Sequence, residues 1–481
     1  MTKIYELEPR EVFEKFYQLN QIPRGSGNER QVSDWLVSFA KERGLEVEQD
    51  DAMNVIIRKP ASPGYESAPG VIIQGHMDMV CEKTTDSKHD FLTDPIEMYV
   101  DGDMLRANGT TLGGDDGIAV AYGLAVLDSD LPHPALEVLI TTNEEVGMDG
   151  AMAIKPGQVQ GKRLLNIDSE EEGIFLSSCA GGIEVEIEFP YSAEPLGIET
   201  RMLTIEVSGL TGGHSGMQIG LGRANAIKVL ARILQAAKTA FPELRLAEFN
   251  GGSKHNAIPS AARASVIAPS NPALLQKLIE LSETIKREYQ HSDPDMTIHF
   301  GDDELLSAYN IEDSARIIDF LCVVPHGVKS MSHSIEGLVE SSLNAAIFGE
   351  GEDLHFHFIS SIRSSVYSRR RAIEEELEIL AHTFGARYIA SDGYPAWEYE
   401  EHSPLRDTCL RVWKEVTGQD PEVTAVHAGL ECGLLKEVMP DVDMISFGPN
   451  LYDVHTPAEH LSISSAAKLW DYLKALLAAL R

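Results

Sequence analysis

Five short polar clusters in this chain each follow an apolar run, and this repeated arrangement leaves few folds open. Open α/β sheets place their functional sites beyond the carboxyl ends of the strands, so such a sheet would bring all five clusters to one edge. Histidine and carboxylate side chains together are ligands that zinc prefers in proteins. The sequence therefore predicts a metal site built from five segments of the chain. The clusters contain His76 with Asp78, Asp115 with Asp116, Glu144 with Glu145, Asp168, and His455.

The segments between these clusters predict an α/β fold. Apolar runs at 71–74, 136–142 and 164–167 are typical of buried strands, and a helical stretch at 118–128 separates the first two. Alternation of strand, helix and strand indicates a mixed, mostly parallel sheet.

The pattern changes after Cys179. Residues 183–189 alternate strictly between apolar and polar types, which predicts strands with one face on a core and the other in solvent. We therefore predict an inserted α+β domain at 183–393, which divides the catalytic domain into a first part, 1–182, and a second part, 394–481. The insert is longer than one small domain requires, so we expect it to consist of two similar halves.

The composition argues against several classes of partner. The formal net charge of −35 opposes binding to nucleic acid and to anionic membrane surfaces. The N-terminal segment lacks the unbroken apolar core of a signal peptide, and no later run approaches a membrane span, so we expect a cytoplasmic protein. Five scattered cysteines without a C-x-x-C pair indicate reduced thiols.

The first two clusters also have ordinary structural interpretations. His76 and Asp78 point to the same side of a strand, which suits a ligand and a carboxylate that fixes its imidazole. Alone, however, such a pair is more often a polar strand end. Asp115 or Asp116 could bridge two cations, or could simply cap the helix that follows.

The other clusters carry similar alternatives. Adjacent Glu144 and Glu145 repel each other unless a cation or a shared proton intervenes, whereas an exposed acidic turn would leave both in solvent. Asp168 is followed by glutamates at 170–172, so a solvated acidic loop is the alternative there. His455 is one of 16 histidines, most of which must be structural or exposed.

The ordered motifs GHMD, GGDDG, NEE, NID and VHTP resemble those of the co-catalytic zinc amidohydrolases, a group of carboxypeptidases, aminoacylases, tripeptidases and dipeptidases. Within that group, NGTTLGGDDG, TGGHSG, KHNAIP and HAGLECG look like the bacterial aminoacyl-histidine dipeptidases. The resemblance extends over essentially the whole chain. It implies that the insert is a lid over the catalytic domain.

The resemblance also implies roles that the residues alone leave open, namely which aspartate bridges two metals and which glutamate acts as a base. Two divalent metal ions are implied, most readily Zn²⁺, although Mn²⁺ and Co²⁺ accept the same ligands. The implied metal ligands are His76, Asp115 as the bridge, Glu145, Asp168 and His455, with Glu144 as general base and Asp78 orienting His76.

Four residues are implied in substrate binding. His214 would reach the oxygen of the tetrahedral intermediate, and Asn256 and Arg363 would hold the substrate from the lid. Arg363 suits a free carboxylate because it can form two parallel hydrogen bonds, although a surface strand arginine is the alternative. Gly429 would let the substrate approach the backbone, unless it is only a turn glycine.

The implied activity is hydrolysis of dipeptides, with a preference for Xaa-His. The histidine preference follows from the resemblance alone. An N-acyl amino acid deacylase with the same metal site is one alternative, and a catalytically silent peptide-binding homologue is another. We expect a small dipeptide as the partner, no nucleic acid, no membrane and, since related enzymes are often dimeric, a possible homodimer.

Overall fold

The protein is described by a computed structural model that covers residues 3–196, 202–267, 272–303, 305, 307–351 and 355–481. The chain divides into two compact units. The first unit comprises Met1–Cys179, Tyr399–Ala425 and Leu430–Arg481, and the second comprises Ala180–Glu398 and Val426–Gly429.

Helices are interspersed among runs of several consecutive strands. Among the described residues, no helix combines the length and the apolar character needed to cross a membrane. The helices are α1 (Arg10–Leu19), α2 (Arg30–Glu42), α3 (Gly114–Leu127), α4 (Glu144–Gly147), α5 (Asp149–Ala153), α6 (Ala226–Ala240), α7 (Pro272–Glu288), α8 (Ile311–Val323), α9 (Tyr367–Thr383), α10 (Pro404–Thr417), α11 (Glu431–Val438) and α12 (Ile463–Ala479). The strands are β1 (Glu46–Gln49), β2 (Val55–Lys59), β3 (Val71–His76), β4 (Met98–Asp101), β5 (Met104–Ala107), β6 (Leu136–Thr141), β7 (Arg163–Asn166), β8 (Ile174–Cys179), β9 (Gly181–Pro190), β10 (Ala193–Pro195), β11 (Met202–Ser208), β12 (Gly213–His214), β13 (Arg245–Gly251), β14 (Ala257–Ile258), β15 (Ala262–Ile267), β16 (Thr297–Asp303), β17 (Ser307–Tyr309), β18 (Gly327–Met331), β19 (Val339–Glu350), β20 (His355–Ser364), β21 (Arg387–Ala390), β22 (Glu422–Val426), β23 (Asp443–Ser446), β24 (Leu451–Tyr452) and β25 (His460–Ser462).

The first unit contains the predicted mixed α/β sheet. Its eight strands lie in the order β1-β2-β6-β3-β7-β23-β8-β22. The four central strands, β6, β3, β7 and β23, run parallel, whereas β1 with β2, β2 with β6, and β23 with β8 pair antiparallel. Parallel pairing is therefore found among the central strands, with an antiparallel pair on either side of them. Every residue of β3 and β6, two of these central strands, is buried. Such burial is expected of parallel strands that are covered on both faces of the sheet.

The register of the central strands explains why the polar clusters meet. His76, the last residue of β3, lies opposite Thr141, the last residue of β6. Gln74 lies opposite Asn166, the last residue of β7. Because these strands are parallel, the residues that follow each of them emerge at the same edge of the sheet.

The second unit is built on an antiparallel sheet with the strand order β16-β11-β15-β13-β19-β20-β9-β21, and β18 pairs with β19 at its side. The helices α6 and α8 pack on one face and form an apolar core with residues of the strands, including Leu343 and Ile362. The segment Val426–Gly429 belongs to this unit, although it lies within the range 394–481 that we assign from sequence to the catalytic domain. The backbone N–H of Ala180 donates to the carbonyls of Val426 and Ala428, which holds that segment in place.

The sheet of the second unit consists of the two similar halves predicted from its length. One half is β11-α6-β13-β15-α7-β16 and the other is β9-α8-β19-β20-α9-β21, when short strands are left aside. When the four strands of each half are numbered in chain order, their spatial order from the outer edge inward is fourth, first, third, second in both halves. The halves meet through their second strands, where Gly251 of β13 pairs with Phe348 of β19. The first half is thus inserted after the first strand of the other.

Candidate metal centre

A first group of possible ligands surrounds His76 at the end of β3. Its Nε2 lies 3.1 Å from Asp115 Oδ1 and 3.6 Å from Asp168 Oδ1. The side chains of His76 and Asp168 are buried, with 1% and 9% of their surface exposed. Asp168 therefore does not belong to a solvated acidic loop, although the following Glu170 and Glu171 are exposed.

A second group surrounds His455. Its Nε2 lies 2.9 Å from Glu145 Oε2 and 3.1 Å from Asp115 Oδ2. Asp115 thus contacts both histidines, through a different carboxylate oxygen in each case. This is the arrangement expected of a carboxylate that bridges two cations.

The charges at this edge of the sheet fit divalent cations. Burial and the charge of Asp115 raise the pKa of Glu145, and burial with the charges of Asp115 and Asp78 raises that of Asp168. Contacts with Asp115 and Glu145 raise the pKa of His455 to about 11. Within the described part of the chain, Glu145 Oε1 is buried without a hydrogen-bond partner. Bound cations would reduce the repulsion between these carboxylates and would give Glu145 Oε1 a partner. Nitrogen and oxygen ligands of this kind suit zinc.

Asp78 lies behind His76 and is fully buried. Its Oδ1 is 3.4 Å from His76 Nδ1, and its two oxygens accept hydrogen bonds from the backbone N–H groups of Glu144 and Glu145 and from Ser26 Oγ. One carboxylate therefore holds both the imidazole ring and the turn that follows β6. Asp78 therefore lies where the orienting carboxylate predicted from the strand spacing would have to be.

The two adjacent glutamates differ in their surroundings. Glu145 contacts His455, whereas Glu144 makes no such contact. Glu144, His76 and Glu145 could also hold a metal ion together, since one possible ligand atom from each lies within 4.8 Å of the other two. Burial raises the pKa of Glu144 well above its usual value, and the charges of Asp168, Glu431 and Glu145 add to this effect. Glu144 is thus the glutamate suited to accept a proton.

The two adjacent aspartates also differ. Both have non-helical backbone angles at the start of α3, and the contacts of their side chains distinguish them. Asp116 Oδ2 accepts a hydrogen bond from the backbone N–H of His76, and within the described part of the chain Asp116 belongs to no group of possible metal ligands. Gly75 permits this contact, since a Cβ there would lie 2.4 Å from Asp116 Oδ2 and 2.5 Å from Ala119 Cβ. Asp116 therefore positions a strand end, and Asp115 faces the histidines.

Backbone strain is concentrated beside the ligands. His455 has a φ of +61°, and Asn143, directly before Glu144, has a φ of +53°. Residues with a side chain seldom adopt this left-handed region, and they persist there only where the surrounding structure fixes them. Such backbone conformations often occur at functional sites, so they support a functional role for the neighbouring side chains.

Two buried residues support the loop that carries Asp115, and sequence reasoning did not single them out. Glu459 accepts hydrogen bonds from four consecutive backbone N–H groups, those of residues 112–115, at 2.7 to 3.2 Å. Arg24 donates to the carbonyls of Met77, Asp78 and Gly113. These two residues therefore fix the Asp115 loop to the end of β3 and to the His455 loop. The only sequence signal was an acid four residues after His455.

Replacement of Glu459 by glutamine should weaken metal binding at the group formed by Asp115, Glu145 and His455. The amide loses the charge that the four N–H donors stabilise, so the Asp115 loop should move, and loss of such supporting contacts typically lowers metal affinity about 10- to 100-fold. Competition with a chelator of known zinc affinity measures the effect. Glu437→Gln, at an exposed acid of α11, is the matched control. Equal zinc affinity in both variants would contradict the role of Glu459.

The predicted substrate residues lie together in the second unit. His214 is on β12, and its Nδ1 accepts hydrogen bonds from the backbone N–H groups of Gly216 and Met217. A neutral His214 must therefore carry its proton on Nε2. The carbonyl of Asn256 accepts a hydrogen bond from the N–H of Ser215, which joins these two loops.

Arg363 and Gly429 complete the predicted set. Arg363 lies on β20 with only 8% of its surface exposed, so it is not a surface strand arginine. Its Nη1 donates to Tyr394 Oη at 2.7 Å. Gly429 ends the segment Val426–Gly429 that belongs to the second unit.

Residues 72–479 match peptidase family M20/M25/M40, and the chain belongs to this family of peptidases. Over 99% of both sequences the chain is 37% identical to the cytosol non-specific dipeptidase of Escherichia coli strain K12. The crystal structure of the aminoacylhistidine dipeptidase of Vibrio alginolyticus is similar with a TM-score of 0.92 and 38% identity, covering 99% of this chain and 98% of that one. Aminopeptidase PepT of Bacillus cereus ATCC 10987 shares the fold, with a TM-score of 0.56 at 15% identity over 98% and 99% of the two chains.

Proposed function

We propose that this chain is a dinuclear metal-dependent dipeptidase that prefers Xaa-His substrates. The observation that carries the proposal is Asp115, whose two carboxylate oxygens contact His76 and His455 separately. The dipeptide specificity is supported by the names of the E. coli and Vibrio relatives, which match the chain over nearly its full length.

In this proposal, His76, Asp115 and Asp168 hold one cation, and Asp115, Glu145 and His455 hold the other. Imidazole and carboxylate ligands favour Zn²⁺ but also accept Mn²⁺ and Co²⁺. When bound, two such ions lower the pKa of a water molecule and polarise the scissile carbonyl.

Glu144 is the proposed general base. Its raised pKa makes it able to take a proton from the attacking water and to return it to the departing amine. Asp78 keeps His76 in one orientation and, through the N–H groups of Glu144 and Glu145, holds the base in position. The contacts of the acids at this edge thus support separate tasks for them.

We assign substrate binding to the second unit's group of His214, Asn256, Arg363 and Gly429. The Nε2–H of His214 is suited to stabilise a developing oxyanion, because backbone donors occupy its Nδ1. Arg363 suits the free carboxylate of a dipeptide. A cytoplasmic location and a possible homodimer also belong to the proposal, and the first is supported by the name of the E. coli relative.

Product release from Gly-His and from N-acetyl-histidine tests the proposed substrate class. We expect the purified zinc-loaded protein to release histidine from Gly-His much faster than from N-acetyl-histidine. Faster release from the acylated substrate would replace the dipeptidase with an N-acyl amino acid deacylase. No release from either, with zinc bound, would favour a silent peptide-binding protein.

A further inference from the structure

One face of the second unit's sheet is polar and yet buried. Ser342 and Asn344 on β19 are each 1% exposed, and Arg363 on β20 is 8% exposed. Their neighbours in sequence, Leu343 and Ile362, point to the opposite face and into the apolar core. Buried polar side chains are normally paired, so the contacts of this face identify its role.

His427, from the segment Val426–Gly429, packs on this face. Its Nε2 lies 2.7 Å from Ser342 Oγ. Ser342 is the direct cross-strand partner of Arg363, and side chains directly opposite in an antiparallel pair lie on the same face. The imidazole of His427 is therefore next to the guanidinium of Arg363. Burial lowers the pKa of His427 to about 3, and the charge of Arg363 contributes, so this imidazole is neutral at physiological pH.

Tyr394 and His214 border the same place. A Cβ on Gly182, the other cross-strand partner of Arg363, would lie 2.5 Å from the hydroxyl oxygen of Tyr394, so the tyrosine ring occupies the space above that glycine. A Cβ on Gly216 would lie 2.5 Å from the carbonyl oxygen of His427 and 3.1 Å from His214 Cε1. The His427 backbone thus lies beside the proposed oxyanion histidine.

Two nitrogen atoms on this face lack partners. Among the described residues, His427 Nδ1 and Arg363 Nε are both buried and have no hydrogen-bond partner. Arg363 Nη1 is already held by Tyr394, and His427 Nε2 by Ser342. His427 Nδ1, when it carries the imidazole proton, and Arg363 Nε can therefore each donate a hydrogen bond to a ligand.

We propose that His427 is a specificity-determining residue, whose Nδ1–H binds the C-terminal carboxylate of the dipeptide together with Arg363 Nε–H. In this assignment the Ser342 hydroxyl donates to His427 Nε2 across their 2.7 Å contact, so that the imidazole proton lies on Nδ1. A carboxylate accepts from both nitrogens, whereas a C-terminal amide offers them one weaker acceptor. This inference rests on the proposed function and assigns it a substrate requirement, a free C-terminal carboxylate.

The test compares Gly-His with Gly-His amide in wild type and in two matched variants. The glutamine in His427→Gln can still reach Ser342 but has no donor at the Nδ1 position. The asparagine in His427→Asn keeps a donor near that position. We expect His427→Gln to lower kcat/KM for Gly-His about 10- to 100-fold, mainly through KM, with little change for the amide. His427→Asn should retain most of the discrimination between the two substrates.

A purely structural role would lower kcat/KM for both substrates equally in His427→Gln, and that result would overturn the proposal. Equal discrimination in wild type and His427→Gln would overturn it as well, while leaving the proposed dipeptidase intact. If His427→Gln does not fold, Ser342→Ala removes only the hydroxyl that fixes the imidazole proton and should reduce discrimination in the same direction; unchanged discrimination there would also count against the proposal. Failure of the wild type to cleave Gly-His would refute the proposed function and this inference together.

Discussion

Replacement of Glu144 by glutamine should lower kcat for Gly-His about 10²- to 10⁴-fold, while KM and bound zinc stay close to their wild-type values. Glutamine has nearly the same shape, and the backbone N–H of residue 144 would still donate to Asp78. It cannot, however, accept a proton from water at neutral pH. Steady-state kinetics and metal analysis of the same preparation measure both quantities.

Glu171→Gln is the matched control for this experiment. Glu171 is an exposed acid of the loop that follows Asp168 and belongs to no ligand group among the described residues. We expect its kcat to equal that of the wild type. If Glu144→Gln retained full activity, another group would have to be the base.

Replacement of Asp115 by asparagine should reduce zinc content and abolish most of the activity. Asp115 is the residue that contacts both histidines, so loss of its charge affects both ligand groups at once. Ligands must be anionic or neutral acceptors, and an amide is a much weaker one than a carboxylate. Metal analysis after dialysis, followed by the Gly-His assay, gives the two results.

The neighbouring Asp116 provides the sharpest comparison. Its carboxylate accepts from the backbone N–H of His76, and an asparagine oxygen can accept the same hydrogen bond. Asp116→Asn should therefore keep its zinc. Retention of zinc by Asp115→Asn, with loss from Asp116→Asn, would reverse the assignment of the bridging ligand.

The sequence was sufficient to predict which residues gather at the candidate metal centre. His76 ends one apolar strand, and Glu145 and Asp168 follow two others, so that parallel strands in register carry them to one edge. Such strands can be recognised in the sequence because burial on both faces of the sheet makes them continuous apolar runs. The length of the insert was likewise sufficient to predict its two halves.

Other features depend on contacts between distant segments, which no local pattern encodes. Glu459 contacts the Asp115 loop although more than 340 residues separate them in the sequence, and 85 residues separate His427 from its partner Ser342. The choice between Asp115 and Asp116 depends on backbone angles at the start of α3 that differ from those of a regular helix. Composition and periodicity carry no information about such contacts, so these residues emerged only from the structure.

Zinc titration of the chelated protein, with Gly-His hydrolysis measured at each step, tests the central claim most directly. The two ligand groups that share Asp115 predict no activity in the metal-free protein and full activity once two zinc ions are bound per chain. Full activity in the absence of metal, or two bound zinc ions without any hydrolysis, would contradict a dinuclear dipeptidase.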